Sequence, residues 1–307
     1  MKKLLPNTFL IGAQKAATTS LYYWLSQHPE ICAPLSVKDY AFFTRDEYYN
    51  LGMSHINSYF KEGYHDQKIV LQGSVHYIFF ENAIKRIYDQ QPKAKFILAL
   101  RHPIDRAISA YRYAKKFNYE SETFERAIEL EQKRLQSSDV RIQSECTYLH
   151  HGLYYKQIST FLKYFDQKQL HVCFYEDIKS NPDSVIKEIF DFLNVDSSFS
   201  PELKAMNRTG KVKNKTFQKI AFGEHPVRNF IVRKILKKLI PDEGRKKLKW
   251  KVIDMNTNST QIQPKYNLTT EETLEYLKDF FKEDIIKLEQ LLDKDLSHWK
   301  RKKEAIK

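Results

Sequence analysis

Between Phe9 and Leu25 the chain reads FLIGAQKAATTSLYYWL, and this stretch constrains the fold more than any other. Phe9-Leu10-Ile11 is an apolar run of the length expected for a buried strand. Gly12 to Ala17 is a turn of mostly small residues holding a single cation, Lys15. Thr18, Thr19 and Ser20 then open an amphipathic run with Leu21, Trp24 and Leu25 on one face. A strand that passes through a tight turn into a hydroxyl-rich helix start makes an anion cradle. Backbone N–H groups and the positive end of the helix dipole point at the ligand, and one lysine sits over it. The expected ligand is a phosphate or a sulfate, held by Gln14, Lys15, Ala16, Ala17, Thr18, Thr19 and Ser20.

The rest of the chain repeats the same rhythm. Short apolar runs at Ile69–Gln72, Phe96–Leu100 and Leu170–Tyr175 read as strands. Helical spacing predicts helices over residues 82–91, 105–115, 124–136, 154–165 and 182–193, the helix at 124–136 charged and peripheral. A last helix is predicted over 269–292, with Thr269 and Glu272 as its capping box. Strands alternating with helices give an α/β fold, a central parallel β-sheet flanked by helices on both faces. Ligands of such sheets bind at the carboxyl ends of strands, which sets the turns after Ile11 and Leu100 side by side. No internal repeat or low-complexity linker divides the chain, so residues 1–307 are expected to form one domain.

Charge and cysteine content narrow the class. No run approaches the roughly 20 apolar residues of a membrane span. The start, MKKLLPNTF, enters strand sequence too soon for a signal peptide. Cys32, Cys146 and Cys173 are odd in number and far apart, which fits neither a disulfide framework nor a zinc knuckle. A cytoplasmic, reduced protein is expected. The net charge of +13 is concentrated: residues 203–251 hold 16 Lys/Arg against 3 Asp/Glu. Such a segment suits a solvated face, an anionic ligand, an anionic polymer or a membrane surface. Within it, residues 230–240 alternate apolar and basic residues at helical spacing, the pattern of a core-covering helix or of peripheral membrane contact.

The cradle is not a Walker A loop, which ends in Gly-Lys-Ser/Thr; here Lys15 lies three residues after Gly12. A second anion element is LRHPIDRAISAYRY at 100–113. Arg101 stands at a strand end, where its fork can grip a terminal phosphate through two parallel hydrogen bonds. Ser109 follows eight residues later, on a helix begun by Pro103 and Asp105. Taken singly, Arg101 and Arg106 read equally well as surface cations and Ser109 as a packing residue.

Together, the two elements resemble those of the sulfotransferases that use 3'-phosphoadenosine 5'-phosphosulfate (PAPS). Gly12–Ser20 is similar to that family's 5'-phosphosulfate loop, and Arg101–Tyr111 to its 3'-phosphate motif. Among branches, the chain looks most like bacterial sulfotransferases related to the heparan sulfate N- and O-sulfotransferases. VKDYAFF (37–43) corresponds to a Lys-Glu-x-His-Phe-Phe block, and HHGLYYKQI (150–158) to a Gly-x-Tyr helix. FYEDIKSNPDSVIKEIFDFLNV (174–195) and KLEQLLDKDLSHWK (287–300) also match, without explaining chemistry.

The resemblance implies sulfuryl transfer from PAPS to a hydroxyl or amine of a small-molecule or glycan acceptor, with 3'-phosphoadenosine 5'-phosphate (PAP) as product and no metal. Lys15 would stabilise the leaving oxygen, and Arg101 with Ser109 would hold the 3'-phosphate. NRTGKVKNK (207–215) looks like the family's late loop, making Lys211 and Lys213 nucleotide-binding candidates. The base is open between two residues. Asp39 stands where the family has Glu, with Ala41 in place of its His; His76 follows Gln72 and Gly73, which replace the family's Glu and Lys. Two other readings are a nucleotide or small-metabolite kinase and a basic module for nucleic acid or membranes. The first has neither a Walker A ending nor a clear acidic Mg²⁺ site, and the second leaves both anion motifs unexplained.

Overall fold

The computed structural model describes residues 4–204 and 269–300, with the backbone alone of 211–212 and 257–258. Five short strands form its sheet: β1 (Thr8–Gly12), β2 (Ile31–Cys32), β3 (Ile69–Gly73), β4 (Lys95–Leu100) and β5 (Leu170–Phe174). All pair parallel, in the order β2-β3-β1-β4-β5. Parallel strands buried on both faces lose the in/out alternation, which is why FLI, IVL and FILAL read as unbroken apolar runs. Every residue of β1 and β3 is buried. Phe9 and Phe96, side by side on β1 and β4, stack with ring centroids 5.7 Å apart.

The helices of the described residues include α1 (Thr18–Leu25), α2 (Glu81–Gln90), α3 (Pro103–Lys116), α4 (Val140–Glu145), α5 (Tyr154–Phe161), α6 (Pro182–Leu193) and α7 (Glu271–Leu292). Proline in the first turn of α3 and α6 starts each without losing an intrahelical bond, because its missing N–H would be unpaired there anyway. In α7 the buried residues are Leu277, Phe281, Ile285 and Leu288, one stripe at helical spacing that packs on α5. Each such side chain contributes roughly 1.5–3 kcal/mol when fully buried. Among the described residues no helix is long and apolar enough to cross a membrane.

The strand order reverses at β1. The chain passes from β1 to β2 and β3 on one side, then to β4 and β5 on the other. The crevice beyond the carboxyl ends of β1 and β4 is therefore the switch point where ligands bind in such sheets, and both expected anion elements leave from those two strand ends.

Three predicted elements differ. The single helix predicted at 124–136 is two, Phe124–Glu129 and Glu131–Leu135, and it is not wholly peripheral. Glu131 is 2% exposed because its carboxylate accepts the backbone N–H groups of Tyr148, Leu149 and His150, a tertiary demand that periodicity does not carry. Helix α5 stops at Phe161 rather than 165. The cap of α7 is Thr270, which accepts from Thr273 N at 3.1 Å, not Thr269.

Candidate active site

The β1–α1 turn is held from both sides. Ala13 N donates to Ala99 O at 2.7 Å, tying it to β4, and Ser74 N donates to Leu10 O at 2.9 Å, tying the β3 exit to β1. Gly12 lies under the loop after β3: a Cβ there would stand 2.9 Å from Ile78 Cγ2 and 3.1 Å from Val75 O. Lys15 and Ala17 take left-handed backbone, φ 72° and 63°, a conformation costing roughly 1–2 kcal/mol for an L-residue that persists only where the surrounding structure holds it. Ala17 is the cap of α1 and offers no side-chain oxygen to its first amides. An uncapped start with Thr18, Thr19 and Ser20 in its first turn is a competent anion site.

The Lys15 ammonium lies 4.5 Å from the centroid of the Tyr113 ring. Burial is the main force pushing its pKa down to about 8, and Arg101 adds to it; Glu145 opposes, while Lys116 and Arg106 add further repulsion. An arriving anion favours the charged form and pushes the pKa back up.

Arg101, at the end of β4, is fixed by the motifs that explained no chemistry in the sequence. Its guanidinium stacks 4.4 Å from the Tyr175 ring centroid, and Nη1 donates to Lys15 O at 2.9 Å. Its own carbonyl accepts Tyr154 Oη at 2.8 Å, so the Gly-x-Tyr helix braces it. The Trp299 carbonyl lies 3.0 Å from His102 Nε2, so the short helix Ser297–Lys300 braces the next residue. The Arg101 Nε is buried with no partner among the described residues. Ser109 is buried on α3, and Tyr113 follows at the i+4 spacing. Arg106 is not a surface cation: it is fully buried, with Nη2 donating to Tyr148 O and Nη1 to Gln14 Oε1 at 3.4 Å. The two anion elements thus share one crevice.

Asp39 and His76 converge on the loop after β3. Asp39, with φ 61°, donates its N–H to Gly73 O at 2.7 Å and accepts Val75 N at 3.4 Å. Its Oδ1 also accepts Lys38 Nζ at 2.6 Å, and the Lys38 side chain is only 8% exposed. The structure shows why position 73 is glycine. A Cβ there would stand 2.8 Å from Tyr22 Cδ2 and 3.1 Å from Lys38 Cδ, so the Lys38 stem fills the space and carries an ammonium to Asp39 instead. His76 Nε2 stands 3.5 Å from Glu145 Oε1, and its Nδ1 is buried without a partner among the described residues.

Sequence reasoning missed Lys38, Tyr113 and Glu145. The first two carried a usable signal: Lys38 directly precedes Asp39, and Tyr113 lies one helical turn beyond Ser109. Glu145 carried none, since it reaches the site only as the last residue of α4, where Oε2 accepts Gln14 Nε2 at 2.8 Å. Lys211 lies in a two-residue strand paired antiparallel with Thr257–Asn258, with its side chain outside the described residues; Lys213 and residues 230–240 are outside them altogether. Among the described residues no group of three or more His, Cys, Asp or Glu side chains is placed to hold a metal ion.

Comparison with known proteins agrees with this geometry. The family described as "Sulfotransferase domain" matches residues 5–288. The chain is 25% identical to the membrane-associated sulfotransferase kil1 of Dictyostelium discoideum, over 66% of this chain and 59% of that protein. It is 30% identical to the bifunctional heparan sulfate N-deacetylase/N-sulfotransferase 3 of Homo sapiens, over 62% of this chain and 22% of that one. The chain thus spans little more than half of the first relative and under a quarter of the second. A solved sulfotransferase from Alicyclobacillus acidocaldarius superposes with TM-score 0.68 at 26% identity, covering 96% of this chain and 99% of that one.

Proposed function

The chain belongs to the sulfotransferase family, and from that premise we propose that it transfers a sulfuryl group from PAPS to a hydroxyl or amine of a carbohydrate or lipid-linked glycan. One observation carries the donor assignment: Arg101 Nη1 donates to Lys15 O at 2.9 Å, so two anion-binding elements from separate strands form a single site with two ends. A ligand with a phosphosulfate at one end and a phosphate at the other fits that arrangement. The uncapped start of α1 takes the first, and Arg101 with its unpartnered Nε, together with Ser109, takes the second.

The work of this chain divides accordingly. PAPS supplies the sulfuryl group and departs as PAP. Lys15 stabilises the charge that builds on the departing phosphate oxygen, a contribution largest in the transition state. Asp39 takes the proton of the acceptor hydroxyl or amine as its oxygen or nitrogen bonds to sulfur, and His76 on the adjoining loop is the competing base. Lys38 holds the Asp39 carboxylate in place. The glycan assignment is supported by the heparan sulfate enzymes among the relatives. It is also supported by the aromatic cluster beside Asp39, where Tyr40 packs on Tyr48 and Tyr59 with centroids 5.0 and 5.3 Å away.

Calorimetric titration with PAP and with ATP tests the donor. PAP binds tightly and ATP weakly, and Arg101→Ala lowers PAP affinity by about 10- to 100-fold, the value of hydrogen bonds to a charged group. Equal affinity for the two nucleotides favours a kinase. No binding of either leaves a basic binding module.

A further inference from the structure

A carboxylate beside an anion cradle works against anion binding, yet Glu145 stands there with a side chain 20% exposed. Its two oxygens are divided between the halves of the site. Oε2 accepts Gln14 Nε2 at 2.8 Å, from the residue before Lys15, and Oε1 stands 3.5 Å from His76 Nε2. We propose that Glu145 is a positioning residue that fixes which ring nitrogen of His76 bears the proton, through a chain of polar contacts whose direction is set by the buried Arg106.

The direction follows from donor and acceptor inventories. A guanidinium has no acceptor, so Arg106 can only donate, and Gln14 turns Oε1 toward it at 3.4 Å. The Gln14 amide nitrogen must then point the other way and donate to Glu145. An ionised carboxylate only accepts, so the contact between Oε1 and His76 is attractive when Nε2 carries the ring proton. That leaves the lone pair on Nδ1, the ring atom that is buried with no partner among the described residues. His151, with its ring centroid 5.4 Å from that of His76, cannot fill the gap. Its Nε2 lies 3.1 Å from Gln143 O and so donates there, leaving a second lone pair rather than a proton. His76 Nδ1 therefore accepts a hydrogen bond from outside, and in a sulfuryl transfer the molecule that offers one is the acceptor, through an O–H or N–H beside the one whose proton Asp39 takes. Only this last step rests on the proposed function; the tautomer rests on the contacts alone.

Glu145→Gln tests both separately. The new carboxamide oxygen keeps the bond from Gln14, because Arg106 still fixes Gln14, and its NH₂ group then faces His76. Nε2 must become the acceptor and Nδ1 the protonated nitrogen. Long-range ¹H–¹⁵N NMR on the full chain, with the His76 signals identified by their loss in His76→Ala, should show the Nε2–H form in the wild type and the Nδ1–H form in Glu145→Gln. Turnover should fall by about tenfold, the value of one hydrogen bond that places the acceptor, with PAP affinity at about pH 6, below the Lys15 titration, retained as the check on folding. Added to His76→Ala, the same change should cost nothing further, as expected for residues acting as a unit. An Nδ1–H wild type, an unmoved tautomer in the variant, or losses that add to those of His76→Ala each overturn the proposal. Loss of PAP binding in Glu145→Gln also overturns it, by placing the role of Glu145 in the donor loop. Absence of PAP binding in the wild type sinks the sulfotransfer reading instead and leaves the tautomer result standing.

Discussion

The two halves that the proposed function assigns to donor and acceptor are built differently. On the donor side, Gly12–Ser20 and Arg101–Ser109 leave adjacent parallel strands and run into helices of 8 and 14 residues. Backbone and side-chain bonds, that from Arg106 to Gln14 buried, lock the two loops to each other. On the acceptor side, Asp39, His76 and Glu145 follow a 3₁₀ turn at Leu35–Val37, cap another at Tyr77–Phe79, and end the six-residue helix α4. That side is tied to the sheet by the Asp39 and Ser74 amides and by Gln72 Nε2, which donates to Val37 O and Tyr40 O at 3.3 and 3.1 Å. A donor site anchored in the sheet can stay constant while short turns on the other edge are exchanged. That is a physical reason for one donor chemistry to serve many acceptors.

The sharpest test of this division is Lys15→Ala. If Lys15 acts on the developing charge, kcat falls by about 10²–10³-fold, the range seen when a group stabilising transition-state charge is removed, while PAP affinity falls much less. Equal losses in both would make Lys15 a ground-state binding group and remove the distinction between holding the donor and activating it.

Asp39→Asn probes the other half. Turnover should fall by about 10²-fold with PAP affinity unchanged, and His76→Ala should cost less; calorimetry and steady-state kinetics on the same preparations decide it. A near-wild-type Asp39→Asn with an inactive His76→Ala moves the base to His76. Loss of PAP affinity in Asp39→Asn would show that the two halves are not separable.

The same division explains what was legible in the sequence. The donor side lies in two contiguous strings, so strand length, helix phase and the spacing from Arg101 to Ser109 were all available before any coordinates. Arg106 was not, because an arginine is read as exposed by default, and only the fold supplies the Tyr148 carbonyl and Gln14 that make its burial tolerable. The acceptor side is assembled from segments about 37 and 70 residues apart along the chain, a distance at which local periodicity carries nothing. Asp39 was found through a resembling block and Glu145 through no local pattern at all. The break at Leu130 has the same origin: Glu131 is turned inward to serve three amides of a loop 17 to 19 residues later.

The smallest expected effect separates the halves by pH. Lys15 titrates near 8 in the folded protein against an ordinary 10.5, so between those values the unfolded chain holds more protons at this residue than the folded one. Its contribution to stability therefore rises with pH across that window, and the cost of burying its charge is complete below about 8. PAP binding should run the opposite way. An anion favours the charged lysine, so affinity is flat below about pH 8 and falls above it by up to about tenfold per pH unit. Binding there takes up protons, which calorimetry in buffers of different ionisation enthalpy measures directly. Lys15→Ala should abolish this limb and Asp39→Asn should leave it in place, as a property of the donor half alone requires. Glu145→Gln should move it to lower pH, because Glu145 is the carboxylate that holds a proton on Lys15 against the surrounding cations. A limb unmoved by that change would mean that Glu145 serves only the acceptor half, and that its bond to Gln14 transmits orientation but no charge.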